Sequence, residues 1–194
     1  MPAEIILDNF TNGLSAHWKH KKFKDATRYT VQKQGDRVFL ESLSSNAASG
    51  LYYDIDYSPR QYPLISWTWK IDQVLAKGNA LTKEGDDYSA RVYVIFPSRL
   101  FWRTKAINYI WANRLPQGTH TPSAYTSNSM MIALQSGNKK SGQWQHEQRN
   151  IIEDYRMVFG GDPPNVGSIA IMTDTDNTGG QARAAYGPIR LHSE

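Results

Sequence analysis

The chain has 194 residues and a formal net charge of +4, with 22 lysine and arginine residues against 18 aspartate and glutamate residues. It contains no cysteine, which excludes a disulfide framework and a thiolate metal site. No apolar run approaches the roughly 20 residues that span a bilayer, so no transmembrane segment is predicted. This length suits one domain, which we expect to cover residues 1–194.

The basic residues are concentrated in one short segment, residues 19–24, which contains four lysines and a histidine. Charge runs of this kind usually form a solvated face. The basic excess is too small and too local to indicate nucleic-acid binding, so no nucleic-acid partner is expected.

Short segments of alternating apolar and polar residues recur along the chain, with turn sequences between them. They cover residues 28–32, 37–41, 51–57, 64–71, 91–96, 107–111, 130–135, 168–173 and 184–191. Residues 151–159 instead carry apolar side chains at helical spacing before two glycines, which predicts a short helix. The pattern predicts an all-β protein, a jelly-roll-like antiparallel β-sandwich with a short helix.

Two tryptophans, Trp67 and Trp69, lie on the apolar side of the alternating segment 64–71. Aromatic rings can serve as platforms for sugar rings when they are exposed. Strict alternation instead favours burial, so we expect both rings in the core.

The next polar residues of interest, Asp86 and Asp87, stand directly before the strand predicted to contain Arg91. Arg91 shares a side of that strand with Tyr93, and a buried guanidinium requires a partner. Either aspartate could form a structural clamp with it. Alternatively, Arg91 binds an anionic ligand such as a uronate or a phosphate. All three charged residues are candidate ligand-binding residues, as is Asp154 further along the chain.

An aromatic and basic segment, residues 97–105, separates two predicted strands. If it is exposed, Trp102 with Arg99 and Arg103 would form a surface for stacking and anion binding. If it folds over the sandwich, its apolar residues form a small additional core. Trp102 and Trp111 are the candidate stacking residues.

The last candidate segment offers oxygen side chains from Asp174, Asp176 and Asn177 in a loop that contains glycine. Hard cations such as Ca²⁺ prefer these ligands, although the glutamate that completes an EF-hand loop is missing. Asx turns that stabilise the loop itself are the more common use of such residues. No cofactor is certain, and a structural Ca²⁺ is the candidate.

No catalytic residue can be assigned. The five histidines lack metal-ligand spacing, and no serine lies in a nucleophile elbow. A glycan-active hydrolase or lyase would need paired carboxyl groups, for which Asp86, Asp87 and Asp154 are the candidates.

These residues belong to a set of motifs through which the chain resembles the bacterial family known as domain of unknown function 3047. The motifs are ASGL (48–51), YPLISWTW (62–69), GDDYSARVYV (85–94), NYIW (108–111), Trp144 followed by RNI (149–151), DY (154–155), FG (159–160) and TDTDNT (173–178). The resemblance covers nearly the whole chain and implies a secreted or periplasmic protein whose leader is absent from this sequence. Asn150 stands where the family more often has aspartate. If that aspartate is catalytic in the family, catalysis is not expected here.

Aromatic content, sandwich architecture and a carboxylate–arginine cluster favour an extracytoplasmic binding module for a carbohydrate or a similar polar ligand. Two alternatives stay open. One is the hydrolase or lyase, and the other is a structural envelope protein that binds a protein partner through residues 97–105. The sequence predicts no oligomeric state.

Overall fold

The computed structural model describes residues 3–193 and contains two β-sheets packed face to face, with little helix. This architecture confirms the predicted all-β sandwich with one short helix. The strands are β1 (Glu4–Asp8), β2 (Trp18–Lys24), β3 (Arg28–Gln34), β4 (Arg37–Ser45), β5 (Ala48–Tyr57), β6 (Leu64–Ile71), β7 (Arg91–Phe96), β8 (Lys105–Ala112), β9 (His120–Pro122), β10 (Ser129–Ser136), β11 (Gln145–Asn150), β12 (Val166–Asp174), β13 (Gln181–Tyr186) and β14 (Ile189–His192), and the helix α1 is Ile151–Phe159. Two single 3₁₀ turns cover Lys83–Gly85 and Phe101–Arg103.

Each sheet has seven strands. Sheet 1 has the order β1-β14-β6-β13-β4-β3, and β11 also pairs with β6. Sheet 2 has the order β2-β5-β12-β7-β8-β10-β9. The pair β8 and β10 is parallel, unlike the other pairs described, so sheet 2 is mixed rather than wholly antiparallel as predicted. Strand β12 lies between β5 and β7, which brings the end of the chain next to its middle.

Aromatic side chains fill the space between the sheets. Trp67 and Trp69 of sheet 1 are almost fully buried, as predicted, and their ring centroids lie 5.4 Å apart. Tyr109 of sheet 2 packs on Trp67 at 5.3 Å, and Trp111 packs on Trp69 at 5.9 Å. Because aromatic pairs at this spacing add to the free energy of burial, these four rings are a central contact between the sheets.

Several strands depart from the predicted pattern, and β1, β2, β9 and β11 lie outside the predicted segments. β2, in the basic segment, is an edge strand of sheet 2 whose lysines are exposed, as suits an edge that must avoid further pairing. β11 consists of polar residues only. The predicted strand 184–191 is divided into β13 and β14 at Gly187, where a Cβ atom would lie 2.0 Å from Thr68 Oγ1.

The helix α1 has the predicted bounds. Asn150 caps its first turn, because Oδ1 accepts from the backbone N–H groups of Ile152 (3.0 Å) and Glu153 (3.2 Å). Gly160 follows the last turn with a φ of 72°, a conformation that glycine adopts without strain. Among the helices in residues 3–193, none has the length and apolar character needed to cross a membrane.

Glu147 joins the two sheets through hydrogen bonds. Its Oε1 accepts from Trp69 Nε1 of sheet 1 at 3.0 Å and from Gln135 Nε2 of sheet 2 at 2.8 Å. Burial raises the pKa of Glu147 above its usual value of 4.5, against the lowering effect of these two donors. Ionisation of Glu147 in the folded protein therefore costs stability.

The substitution Glu147→Gln is expected to stabilise the protein at neutral pH. Glutamine keeps the acceptor for both donors but carries no charge. Because the folded-state pKa of Glu147 is raised, the wild type loses stability as pH rises from 4.5 through the folded-state value, and the variant does not. Urea unfolding at several pH values should show the advantage above this range and none below it. The exposed Glu153→Gln is the control, and an advantage independent of pH would contradict the assignment.

Candidate functional site

The candidate site is a cavity on the outer face of sheet 2, the face directed away from the core. Alternation along β5, β7, β8 and β12 turns polar residues and tyrosines to this face while their neighbours pack inside. The cavity has a volume of about 460 Å³. We call it the outer cavity, and its walls include Tyr52, Asp86, Arg91, Tyr93, Asn108, Tyr125, Met172, Asp174, Asp176 and Asn177.

Arg91 forms a buried ion pair with Asp174. The two residues are 5% and 1% exposed, and Arg91 Nη2 donates to Asp174 Oδ2. The guanidinium carbon also lies 4.9 Å from the ring centre of Tyr88 and 5.5 Å from that of Tyr93. Although burial opposes a charge here, Asp174 and the surrounding groups raise the pKa of Arg91. Arg91 therefore stays charged.

The structural clamp predicted for Arg91 thus exists, but its partner is Asp174 rather than the expected Asp86 or Asp87. In the pairing of β7 with β12, Arg91 lies opposite Met172, which makes Asp174 its diagonal neighbour on the same face. The register of two distant strands decides this contact.

Two buried polar atoms of the outer cavity have no hydrogen-bond partner among residues 3–193. They are Arg91 Nε, a donor, and Asn108 Oδ1, an acceptor. Both residues line the cavity, and Asn108 is 1% exposed. Because an unpaired buried donor or acceptor costs free energy, a ligand or water that satisfies both atoms would be favoured.

Asp87 stabilises the neighbouring loop. It is fully buried, and its two carboxylate oxygens accept from the backbone N–H groups of Asn177 (3.2 Å) and Thr178 (2.6 Å). The loop between β12 and β13 is therefore anchored on Asp87. Asp87 does not line the outer cavity.

Three carboxylates cluster at this anchored loop. One oxygen from each of Asp87, Asp174 and Asp176 lies within 4.8 Å of the others, so the group could hold a metal ion. The predicted set had Asn177 in place of Asp87. Instead, the Asn177 side chain donates to Tyr125 OH at 2.9 Å, which ties the loop to the segment before β10.

The carboxyl groups around the outer cavity hold their protons more tightly than usual. Burial raises the pKa of Asp86 above 3.8, and Asp87 and Asp176 add to this effect against Arg91 and the hydroxyl of Tyr88. Burial is also the main cause of the raised pKa of Asp174 and of Asp176. Asp87 raises both of these values further. Burial and the mutual repulsion of the carboxylates thus both disfavour the ionised forms.

The remaining predicted residues lie elsewhere. Trp111 is fully buried in the core, where its Nε1 donates to the Gly137 carbonyl at 3.1 Å, so a ligand in the outer cavity cannot stack on it. Asp154 is 3% exposed and accepts from Tyr109 OH (2.7 Å) and Arg149 Nε (2.9 Å). These bonds make Asp154 part of the scaffold.

The aromatic and basic segment 97–105 is exposed, which decides between its two predicted arrangements. Phe101 is 80% exposed and Trp102 is 58% exposed. Trp102 does not line the outer cavity, although its carbonyl accepts from Asn128 Nδ2 at 2.7 Å, next to the cavity residue Ser129.

Sequence reasoning missed Tyr52, Tyr93, Asn108 and Tyr125 as site residues. Tyr52 and Tyr93 lie on the outward faces of strands with an alternating pattern. Asn108 is a polar residue within an otherwise apolar stretch of β8. That interruption was the available signal. Tyr125 reaches the site from a loop that carries no strand pattern.

The chain belongs to a family described as a protein of unknown function, DUF3047, whose model matches residues 16–190. No curated protein is detectably similar to it.

Among solved structures, the chain is similar to a family 30 carbohydrate-binding module of a cellulosomal cellulase from Clostridium thermocellum, with a TM-score of 0.56 and 9% identity over 99% of this chain and 98% of that one. A family 29 carbohydrate-binding module in complex with mannohexaose gives a TM-score of 0.48 and 7% identity over 100% and 93% of the two chains. A xyloglucanase domain from Sinorhizobium fredii in complex with cellobiose gives 0.47 and 12% over 88% and 90%. The first of these shows that the chain shares its fold with a carbohydrate-binding module.

Substitution of Arg91 by methionine is expected to destabilise the protein by about 3–5 kcal/mol, because it leaves the buried Asp174 without its charge partner. The double variant Arg91→Met/Asp174→Asn should recover part of this loss. Urea unfolding of the two variants measures the difference. Equal stability of the single and double variants would contradict a stabilising role for the pair.

Proposed function

We propose that the protein binds a carbohydrate, or a similar polyhydroxylated ligand, in the outer cavity. The observation that carries this proposal is the pair of unpartnered polar atoms, Arg91 Nε and Asn108 Oδ1, in one cavity. A sugar hydroxyl can accept a hydrogen bond from the first atom and donate one to the second. A ligand with several adjacent hydroxyls therefore suits this arrangement.

Two tyrosines supply the apolar part of the proposed site. Tyr52 and Tyr93 lie on the same outer face and are half-buried. Half-buried rings can pack against the apolar face of a sugar ring, and their hydroxyl groups can form hydrogen bonds at the same time. In this proposal they take the stacking role that the sequence suggested for Trp102 and Trp111.

The shared fold with a carbohydrate-binding module supports the proposal at the level of architecture. The family resemblance supports an extracytoplasmic role, in the periplasm or outside the cell. Fractionation of cells that express the natural gene tests this part of the proposal independently of the ligand.

A glycan hydrolase or lyase has less support from the geometry. Of the three acids considered from the sequence, only Asp86 lines the outer cavity. The oxygens of Asp87 are engaged with backbone N–H groups, and Asp154 is bonded to Tyr109 and Arg149. Binding without catalysis therefore fits these residues better.

Substitution of Asn108 or Tyr52 by alanine is expected to weaken glycan binding by roughly two- to tenfold, the cost of one hydrogen bond or one packing contact. Titration calorimetry with a panel of neutral and charged oligosaccharides measures the change. Circular dichroism confirms that each variant folds.

Two further variants serve as references. Trp144 packs against Phe39 of sheet 1 and lies away from the outer cavity. Trp144→Ala should therefore leave glycan binding unchanged. If only Trp102→Ala weakens glycan binding, the binding site lies in segment 97–105 and not in the outer cavity. If wild-type protein binds no glycan, the proposal fails, and segment 97–105 becomes the candidate surface for a protein partner.

We also propose Asp87, Asp174 and Asp176 as the residues that would hold a structural cation, with Ca²⁺ as the candidate. If Ca²⁺ binds the folded state there, its addition should raise the midpoint of thermal unfolding, and EDTA should reverse the rise. Asp176→Asn should abolish the response, whereas Asp162→Asn, at an exposed site, should not. An unchanged unfolding midpoint in the presence of Ca²⁺ would contradict the proposal that this cluster binds Ca²⁺.

A further inference from the structure

The outer cavity carries more negative than positive charge. Asp86, Asp174 and Asp176 line it, and Asp87 lies directly behind. Arg91 is the one basic side chain among the lining residues that the structure describes. Even if Arg91 fully neutralises Asp174, the other carboxylates have no matching cation within the cavity.

The local hydrogen bonds leave this imbalance in place. Asp86 accepts from Tyr88 OH at 3.1 Å, which is a neutral donor. Lys24 approaches the loop, but its Nζ donates to the backbone carbonyl of Asp176 at 3.1 Å and not to the carboxylate.

A second and independent observation concerns hydrogen bonding in the same cavity. Arg91 Nε and Asn108 Oδ1 are unpartnered, and the two residues are 5% and 1% exposed. Within the proposed function these atoms take a hydroxyl. The cavity thus offers a place for a neutral hydroxyl and, beside it, a place for a positive charge.

We infer that the outer cavity prefers glycans that carry a free, protonated amino group, such as unacetylated hexosamine chains, over uncharged or acidic glycans. The inference rests on the proposed function and specifies its ligand. The ammonium group would lie among the carboxylates of Asp86 and Asp176, while a hydroxyl of the same chain bonds Arg91 and Asn108. Uronates would be repelled, because Arg91 is already engaged by Asp174.

The experiment compares oligosaccharides of equal length: β-1,4-linked chains of glucosamine, N-acetylglucosamine and glucose, and the α-1,4-linked chain of galacturonic acid. Binding to wild-type protein treated with EDTA is measured by calorimetry at near-neutral pH, because acidic buffer would protonate Asp86 and Asp176, whose pKa values are raised. The glucosamine chain is expected to bind about five- to tenfold tighter than the glucose chain, since a hydrogen bond to a charged group is stronger than a neutral one. Salt should reduce this ratio more than it reduces binding of the glucose chain.

Matched variants locate the effect. Asp86→Asn and Asp176→Asn should each bring the glucosamine-to-glucose ratio towards one while glucose binding persists. Asp54→Asn removes an exposed carboxylate from the same strand as Tyr52, outside the cavity, and should leave the ratio unchanged.

The outcomes separate this inference from the proposed function. If no oligosaccharide binds, the proposed function fails and the inference with it. If the glucose chain binds as tightly as the glucosamine chain, or if the galacturonate chain binds best, the inference alone is overturned. A ratio that appears only after Ca²⁺ is added would also overturn it, because the carboxylates would then serve a metal.

Discussion

The ion pair of Arg91 and Asp174 is the interaction on which the candidate site depends. It joins β7 to β12 on the outer face of sheet 2 and fixes the guanidinium between two tyrosine rings. Asp174 engages one edge of the guanidinium, and Nε is left without a partner among the described residues. The pair also uses the only basic side chain among the described lining residues, so Asp86 and Asp176 have no ion-pair partner of their own in the cavity.

The packing between the sheets decides which residues can take part in binding. Asn108 and Trp111 belong to the same strand and are separated by an odd number of positions, so they face opposite sides of sheet 2. The gap between the sheets is filled by large rings, which requires Trp111 inside. Asn108 is then directed outward, into the cavity. A polar residue in an apolar strand was therefore a better indicator of the outer cavity than the tryptophan three residues later.

Much of the fold could be predicted from the sequence, because strands with one buried face show alternation. β11 could not be, since its residues are polar throughout, and β2 was hidden by its lysines. The site was predictable in part. Asp86, Arg91, Asp174 and Asp176 do meet, but the partner of Arg91 depends on the register of strands that are far apart in the sequence. Local pattern determines which face of a sheet each residue takes, but not which residues of two distant strands lie opposite each other.

Asn150, the position where the family resemblance suggested aspartate, has a clear structural role. Its side chain caps α1 by accepting from two backbone N–H groups. Asparagine and aspartate serve equally well at this position of a helix. Asn150 therefore supplies the cap that aspartate would also supply. Because the start of α1 needs only a cap, the chemistry of this protein is better sought among the charged residues of the outer cavity.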